Sequence, residues 1–320
     1  MKKNINAIDT RSMTREEWLK ARLIGIGGSD AGAIAGLNPY RSPVSVWADK
    51  TGRAEDSPDN DYTRIGRDLE DYVARRWCEI TGKKCHRRNA ILINPDRPFM
   101  IANVDRLVTG EDAGLEIKTA SPYAADQWKD GAIPPSYEVQ CLHYMAVTGA
   151  KRWYIGVLIW PHIECRVIER DEATIQNLIK IEQDFWDDYV VKDKMPPADG
   201  SENCGELIAS VYPEGELKDT PADLERFKDS FARIREIDAL ADRLKQEKEA
   251  IKQQIQMEMQ DNENGICDGW KVTWKNTKPR ETLDTGKLKK EHPKLYAMLF
   301  KRYKKTGKSS RRFTIKETEV

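Results

Sequence analysis

The chain has 320 residues, with 53 Lys/Arg balanced by 53 Asp/Glu, and charged residues make up a third of its length. No apolar run approaches the roughly 20 residues that a membrane-spanning helix needs. The first residues, MKKNINAIDTRSMTREEW, are polar and do not have the pattern of a signal peptide. The six cysteines are scattered without a CxxC pair, which is typical of thiols in a reducing compartment. We therefore predict a cytoplasmic protein with no membrane segment.

The balanced total conceals an asymmetry along the chain. From Asp268 to the C-terminus there are 16 Lys/Arg against 6 Asp/Glu, so the rest of the chain carries the opposite excess. A basic end on an acidic body favours a polyanionic partner, above all nucleic acid. The densest part interleaves basic and aromatic residues: Lys301, Arg302, Lys304, Lys305, Lys308, Arg311 and Arg312 with Phe300, Tyr303 and Phe313.

The hydrophobic periodicity predicts a mixed α/β core. Three short helical pieces separated by glycines occupy residues 15–52, and a strongly periodic helix at about 63–81 ends at Gly82. Beyond it the pattern predicts three strands, a helix, two strands and a helix. These lie at about 89–94, 99–109 and 113–120, then 136–148, then 153–160 with the following IECRVIER, then 171–191.

The remainder of the chain has a different composition. Residues 193–221 repeat Pro and Gly and are predicted to be a linker. From about 222 to 261 apolar residues recur at three- and four-residue spacings, which predicts one long amphipathic helix with an apolar seam. We therefore predict a core at 1–192, a linker at 193–221, and a long helix with a basic region at 222–320.

Three charged residues on neighbouring predicted strands indicate the chemistry. Asp105 ends one strand, and Glu116 and Lys118 share one face of the next. Two carboxylates suit a hard cation such as Mg²⁺ or Mn²⁺. A lysine beside them can act on a water or stabilise charge on a phosphate. The spacing resembles the active-site pattern of the PD-(D/E)XK nuclease superfamily, although in isolation a surface salt bridge is the simpler interpretation.

Three further features favour the nuclease interpretation. Glu70 lies on the striped helix before the strands, where such nucleases often add an acidic group. Gln140 and Tyr144 lie at i and i+4 on the helix after the lysine strand, as in the QxxxY motif of RecB-like nucleases. The glycine-rich GIGGSD, Gly25–Asp30, predicts exposed N–H groups and a helix capped by Ser29-Asp30, which together form an anion site.

The ordered motifs resemble one family. GIGGSDAGAIAGLNPYRSPVSVWADKTG, GRDLE, ANVDRLV, GLEIKTAS and YEVQCLHYMAVTG, covering about residues 15–190, look like YqaJ-type viral recombinases, which are phage exonucleases similar to lambda exonuclease. The resemblance implies a restriction-endonuclease-like core, here with a C-terminal long-helix extension. It also implies a Mg²⁺- or Mn²⁺-dependent exonuclease that degrades one strand of linear duplex DNA from the 5′ end and leaves a 3′ single strand for recombination.

The same resemblance assigns roles to residues. Asp105, Glu116 and the main-chain carbonyl of Ile117 correspond to the metal ligands; Lys118 corresponds to the lysine that assists the attacking water, and Glu70 to a supporting acid. Arg22, Ser29, Asn103, Gln140 and Tyr144 correspond to residues that contact DNA or its 5′ phosphate. Family members act on duplex ends, can form ring-shaped homotrimers, and work with a single-strand annealing protein.

Two alternatives remain open at this point. A structure-specific endonuclease could use the same core, and circular DNA distinguishes it from an exonuclease. A non-catalytic DNA-binding or assembly protein could use the basic region to bind duplex and the long helix to oligomerise. Against that second alternative, the acid set of Asp105 and Glu116, together with Lys118, is complete.

Overall fold

The computed structural model describes residues 5–54, 60–216, 218–279, 281–305 and 315. Part of the predicted basic region, including Lys308, Arg311, Arg312 and Phe313, lies outside these residues. The chain divides into two compact units, residues 1–213 and residues 214–320.

A five-stranded mixed sheet forms the centre of the first unit, in the order β2-β5-β6-β7-β8. Only the central pair β6–β7 is parallel, and the other neighbours are antiparallel. The helix between β6 and β7 provides the crossover that a parallel pair requires. The strands are β2 (Cys85–Arg87), β5 (Arg106–Val108), β6 (Ala113–Ala120), β7 (Arg152–Ile159) and β8 (His162–Glu169).

Helices cover both faces of this sheet and divide the core in two. On one face, Trp77 and Val73 of α4 (Asp61–Thr81) pack with Leu115 of β6. On the other, α5 (Pro135–Thr148) packs its buried side chains against Trp153 and Ile155 of β7. Because strand residues alternate between faces, Glu116 and Lys118 lie on the α5 side. The predicted mixed α/β class with flanking helices is confirmed.

A second sheet interrupts one predicted strand. It has the order β1-β3-β4, with β1 (Asn6–Asp9), β3 (Ala90–Ile93) and β4 (Ile101–Ala102). The prediction of one continuous strand at 99–109 is therefore wrong: its ends belong to different sheets. Between them, the Asp105 carboxylate accepts a hydrogen bond from Ile117 N at 2.8 Å, so a side chain replaces the main-chain ladder there.

The N-terminal helical pieces are α1 (Arg15–Ala21), α2 (Gly28–Ile34) and α3 (Pro43–Lys50). Towards the end of the first unit, α6 (Glu172–Phe185) continues into a π-helical turn at Trp186–Val191. The predicted linker is not irregular throughout, because α7 (Glu202–Val211) forms within it. Asn203 of α7 accepts hydrogen bonds from Ser42 N and Oγ before α3, which attaches this segment to the first unit. The domain limits proposed from sequence otherwise stay a prediction.

In the described part of the second unit, a 3₁₀ turn at Glu225–Phe227 precedes a long helix, a hairpin and two short helices. The helix α8 covers Lys228–Met259, so it begins six residues later than the periodicity predicts but confirms the long-helix extension. Met259 packs beside Gly265 of the hairpin, where an added Cβ would lie 3.8 Å from its side chain. The other elements are β9 (Asn264–Cys267), β10 (Trp270–Thr273), α9 (Thr285–Glu291) and α10 (Pro293–Tyr303). Among the described residues, no helix is both long and apolar enough to cross a bilayer.

A buried ion pair connects α5 with α6 and β4. His143 Nδ1 lies 2.8 Å from Glu182 Oε1 of α6, and its Nε2 lies 2.8 Å from the carbonyl of Ile101 in β4. Both ring nitrogens therefore face acceptors, which is the arrangement of a doubly protonated imidazolium. Burial opposes the charge, but attraction to Glu182 together with the hydrogen bonds to Glu182 and Ile101 outweighs it, so the pKa of His143 is raised.

This pair predicts a pH-dependent stability. Because the pKa of His143 is higher in the folded than in the unfolded protein, its protonation stabilises the fold. This stabilisation is complete below the unfolded-state pKa of about 6.5, and it is lost as the pH rises through the folded-state pKa. We expect His143→Asn to reduce the free energy of unfolding by about 3 kcal/mol near pH 5.5, since it breaks a buried pair. The deficit relative to the parent protein should shrink as the pH rises above about 6.5.

Urea denaturation between pH 5 and pH 9 would measure the difference in the free energy of unfolding between the parent protein and the variant. His162→Asn, which alters an exposed histidine, is the matched control and should show no such trend. A deficit that is constant with pH, or that grows as pH rises, would contradict the charged pair.

Candidate active site

The register of two antiparallel strands places the acidic residues side by side. Arg106 pairs with Leu115, so the preceding Asp105 lies across from Glu116. The hydrogen bond from Ile117 N to Asp105 Oδ2 fixes this juxtaposition. In an extended strand the N–H and C=O of one residue point to the same side, so the Ile117 carbonyl also faces Asp105.

A hydrogen-bonded cluster surrounds Glu116. Lys118 Nζ donates to Glu116 Oε1 at 2.6 Å and to Gln140 Oε1 at 3.0 Å. The Gln140 amide donates in turn to Glu116 Oε1 at 2.7 Å and to Tyr144 Oη at 2.8 Å. The side chains of Gln140 and Tyr144 are both buried. In this structure they therefore hold the acid and the lysine in place, and their predicted contacts with DNA stay a prediction.

The titration behaviour reflects crowded negative charge. Burial, with repulsion from Glu116 and Glu70 and against attraction by Lys118, raises the pKa of Asp105 well above its usual range. Lys118 is also desolvated, but the attraction of Glu116 and Asp105 raises its pKa to about 12. The Tyr137 ring, 4.6 Å from Lys118 Nζ, adds a cation–π contact. Two acids share a single ammonium group here, so the site has an excess of negative charge.

The residues present fit a divalent cation. Glu116 Oε2 is buried and has no hydrogen-bond partner in the protein. A buried carboxylate oxygen without a partner is unfavourable unless something else satisfies it, and a hard cation does so. Asp105, Glu116 and the Ile117 carbonyl are the oxygen donors that could hold it. Within the described ranges, three or more His, Cys, Asp or Glu side chains are nowhere grouped for metal binding, so a main-chain or water ligand is required.

Glu70 approaches from the other face of the sheet. Its carboxylate accepts from Arg106 Nη1 at 2.5 Å, and Arg106 also donates to the carbonyl of Asp105 at 2.6 Å and to Asp71 at 2.6 Å. Arg106 is almost fully buried. Glu70 and the main chain of Asp105 thus lie close together because both accept hydrogen bonds from the Arg106 guanidinium. The sequence interpretation missed Arg106, although its place directly after Asp105 made it a candidate.

Arg22 and Ser29 meet at the start of α2. Arg22 Nη2 donates to Ser29 Oγ at 3.3 Å, and the guanidinium lies over the Trp18 ring at 4.7 Å from its centroid. Arg22 Nε is buried without a hydrogen-bond partner. Together they form a cationic pocket with an unused donor. Asn103, another of the residues predicted to contact DNA or its 5′ phosphate, is half-buried two residues before Asp105.

Behind this pocket lies a buried charge cluster that the sequence interpretation did not identify. Asp30 Oδ2 accepts from Lys50 Nζ at 2.8 Å and from Gly27 N at 2.9 Å, and its Oδ1 accepts from Arg41 Nη1 at 2.8 Å. Lys50 Nζ also donates to the carbonyl of Arg22 at 3.2 Å. Although burial opposes ionisation, attraction by these cations lowers the pKa of Asp30.

The helix cap and the glycines differ from the prediction. The N-cap of α2 is Gly27, and Asp30 caps it from the third helical position, whereas Ser29 contacts Arg22. Gly25 and Gly28 allow other parts of the chain to pack closely against the backbone, whereas the prediction was that they expose main-chain N–H groups. A Cβ at Gly25 would lie 2.4 Å from the Phe99 carbonyl, and one at Gly28 would lie 2.5 Å from Tyr144 Cε1. Gly28 thereby joins the Arg22 pocket to the Gln140–Tyr144 pair.

Comparison with solved structures finds partial likenesses. An alkaline exonuclease from Laribacter hongkongensis matches at 20% identity with a TM-score of 0.47, over 68% of this chain and 99% of that one. A phage-related exonuclease from Haemophilus somnus 129PT matches at 14% identity with a TM-score of 0.38, over 53% of this chain and 96% of that one.

The sequence comparisons are more extensive. The model of the YqaJ-like viral recombinase domain matches residues 17–151, which include every residue of the cluster described above. A Bacillus subtilis (strain 168) protein, the uncharacterized protein YqaJ, is 38% identical over 313 residues, or 95% of each chain. Similarity of this degree along nearly the whole length shows that the chain belongs to the YqaJ-like viral recombinase family.

Proposed function

We propose that the protein is a metal-dependent nuclease that hydrolyses phosphodiester bonds of linear double-stranded DNA. The observation that carries this proposal is the buried Glu116 carboxylate, with one oxygen bound by Lys118 and Gln140 and the other without a partner, opposite Asp105. Membership of a viral recombinase family supports DNA as the substrate. By the resemblance of its motifs, we further propose 5′-to-3′ exonuclease action that leaves a 3′ single strand.

The protein's own residues have distinct tasks in this proposal. Asp105, Glu116 and the Ile117 carbonyl would hold Mg²⁺ or Mn²⁺. A cation bound there supplies Lewis acidity towards phosphate and water. Lys118 presents its ammonium group beside both acids, where it can orient a water molecule and stabilise charge that develops on the scissile phosphate. Gln140 keeps Glu116 and Lys118 at fixed separation by hydrogen-bonding to each.

The Arg22 pocket would receive the 5′ phosphate. A guanidinium matches phosphate in a bidentate geometry, and the free Nε of Arg22 provides a donor for it. The Asp30 cluster holds the Arg22 carbonyl and the Gly27 amide at the base of this pocket. Gly28 packs directly on Tyr144 and Gln140, which supports a direct connection between the proposed pocket and the Glu116 cluster. Such a connection would set the distance between the bound end and the bond that is cut.

For assembly and partners, the proposal is supported by the resemblance of the motifs alone. We infer that the protein works in DNA recombination beside a single-strand annealing protein, as a cytoplasmic homo-oligomer, with a trimeric ring as the arrangement that the resemblance suggests. A structure-specific endonuclease on the same core is the second candidate, because the site geometry is common to both.

The experiment that tests the function uses one set of DNA substrates. Linear duplex with a 5′ phosphate or a 5′ hydroxyl, and a covalently closed circle, are incubated with the protein in Mg²⁺ or in EDTA. We expect Mg²⁺-dependent loss of nucleotides from the 5′-labelled strand of the linear phosphorylated duplex and none from the circle. Asp105→Asn and Lys118→Met should each reduce the rate by about 100-fold or more.

Two controls make the result specific. Glu172→Gln, which neutralises an exposed acid at the start of α6, should keep the parental rate. Calorimetric titration with Mn²⁺ should show binding to the parent protein and a large decrease in affinity in Asp105→Asn. Cleavage of the circle would favour the endonuclease. Parental activity in the Asp105 and Lys118 variants would refute the site.

The packing at Gly28 gives a second prediction. A methyl group there would overlap the Tyr144 ring, which is itself confined by Trp153 at a centroid distance of 5.1 Å. We expect Gly28→Ala to lower the free energy of unfolding by about 1–3 kcal/mol. It should also reduce the nuclease rate on 5′-phosphate and 5′-hydroxyl ends alike, since displacing Tyr144 disturbs Gln140.

The matched control is Gly205→Ala in α7, a helical glycine whose added Cβ would meet no atom within 4 Å. That variant should be as active as the parent and up to about 1 kcal/mol more stable. Parental stability and rate in Gly28→Ala would show that the Tyr144 contact has no such role.

The basic C-terminal region should contribute salt-sensitive DNA affinity. Deleting residues 268–320 should weaken binding at moderate salt and spare the catalytic centre, but the cut would also remove β10, the partner of β9. A sharper variant changes Lys301, Arg302, Lys304 and Lys305 to Gln. The slope of the logarithm of the DNA association constant against the logarithm of the salt concentration should then become shallower by about 0.9 for each phosphate that the variant no longer neutralises.

Exchange of Lys and Arg at the same four positions is the control, because it conserves charge and should keep the slope. Binding would be measured by fluorescence anisotropy on a duplex between 50 and 300 mM salt, with about 50–200 mM as the informative range. An unchanged slope in the Gln variant would exclude these side chains from DNA binding.

A further inference from the structure

The long helix α8 exposes an apolar seam along its length. Six of its large apolar side chains form a stripe along one side and are between 37% and 57% exposed. The members of this stripe are Ile234, Ile237, Leu240, Leu244, Ile251 and Ile255. At about 1.5 Å per residue the helix is roughly 48 Å long. A helix of this kind gains most of its stability when its apolar face packs against a partner.

The spacing fits the heptad of a coiled coil. If Ile234 is an a position and Ile237 a d position, then Ala241 and Leu244 occupy the next a and d, and Ile251 and Ile255 later ones. Of the ten a and d positions from Phe227 to Glu258, only Ser230, Lys248 and Glu258 are polar. The pattern therefore selects one face of α8 for pairing with another helix.

We propose that α8 pairs with α8 of a second copy of this chain, in antiparallel orientation. In the register that places Ala241 against Leu244 of the partner copy, a small side chain packs against a large one at the centre of the pair. Ile234 then faces Ile251 of the partner copy, and Lys248 faces Ile237. The two-fold axis of this register falls between residues 242 and 243, close to the middle of Lys228–Met259, so the two helices overlap along almost their whole length.

The residues at the core positions set the direction, because each orientation brings Asp238 next to a cation of the partner copy. In the antiparallel register, Asp238 at an e position lies opposite Lys245 at an e position of the partner copy, and the symmetry repeats this contact. A parallel pair would instead place Lys248 against Lys248, Ala241 against Ala241 and Glu258 against Glu258. Like charges and a gap at the core are unfavourable. The sequence of α8 is thus complementary to itself when reversed.

The experiment exchanges the charges of the proposed contact in the full-length chain. Asp238→Lys leaves Lys at both e positions, and Lys245→Asp leaves Asp at both. We expect each variant alone to self-associate at least about 10-fold more weakly than the parent, because like charges then oppose each other twice. An equimolar mixture of the two variants should recover the parental association, since each e position then meets an opposite charge.

Sedimentation equilibrium over a concentration series measures the molar mass of each sample. Because an antiparallel α8 pair joins two copies, its loss lowers the molar mass wherever α8 is the contact between those copies. The readout does not depend on the proposed nuclease function. Gln253→Glu, a charge change at an f position on the outer face of α8, is the control and should keep the parental mass. Leu244→Glu should abolish the pairing.

Three results would overturn the proposal. In one, the parent and Leu244→Glu have the same mass at every concentration, so the seam pairs with nothing in solution. In another, the mixture of charge variants does not recover association. In the third, only Asp238→Lys weakens association; this result would indicate a parallel pair, in which Asp238 lies near Arg233 and Lys245 near Leu240.

Discussion

The Gln140 amide is the point on which the candidate site depends. It donates to Glu116 and to Tyr144 and accepts from Lys118, so a single side chain holds the acid, the lysine and the aromatic ring of α5. Gln140 is itself fixed because α5 packs on the central sheet and α2 packs on α5 through Gly28. The parallel β6–β7 pair makes this possible, since its crossover returns α5 over the face from which Glu116 projects.

Much of this arrangement could be predicted from local patterns. Strand alternation placed Glu116 and Lys118 on one face, and the short turn after β5 made Asp105 their neighbour. Helix spacing placed Gln140 and Tyr144 together. These inferences need only the period of a strand or a helix, which a single sequence contains. The apolar patterns likewise predicted β3, β6, β7 and β8, but they joined β4 and β5 into one strand and did not indicate which sheet each strand would join.

The contacts that were missed depend on distant parts of the chain. Asp30, Arg41 and Lys50 meet only because α2 and α3 fold onto each other, and no periodicity indicates that meeting. The break within 99–109 depends on a hydrogen bond from Ile117, and α7 within the predicted linker is attached through Ser42. His143 is similar: its pairing with Glu182 spans 39 residues, and the spacing of the histidines contains no sign of it.

The buried Arg106 has a consequence for how mutations nearby are interpreted. Its guanidinium is balanced by Glu70 and Asp71 while it touches the main chain of Asp105. Removing Glu70 would do more than delete a carboxylate: it would leave the buried Arg106 guanidinium with Asp71 as its remaining carboxylate partner, beside the main chain of Asp105. A buried cation that loses one of its counter-charges destabilises the strand that carries it. Lower activity in a Glu70 variant would therefore not by itself identify Glu70 as a group that contacts the substrate, because the position of Asp105 would change as well.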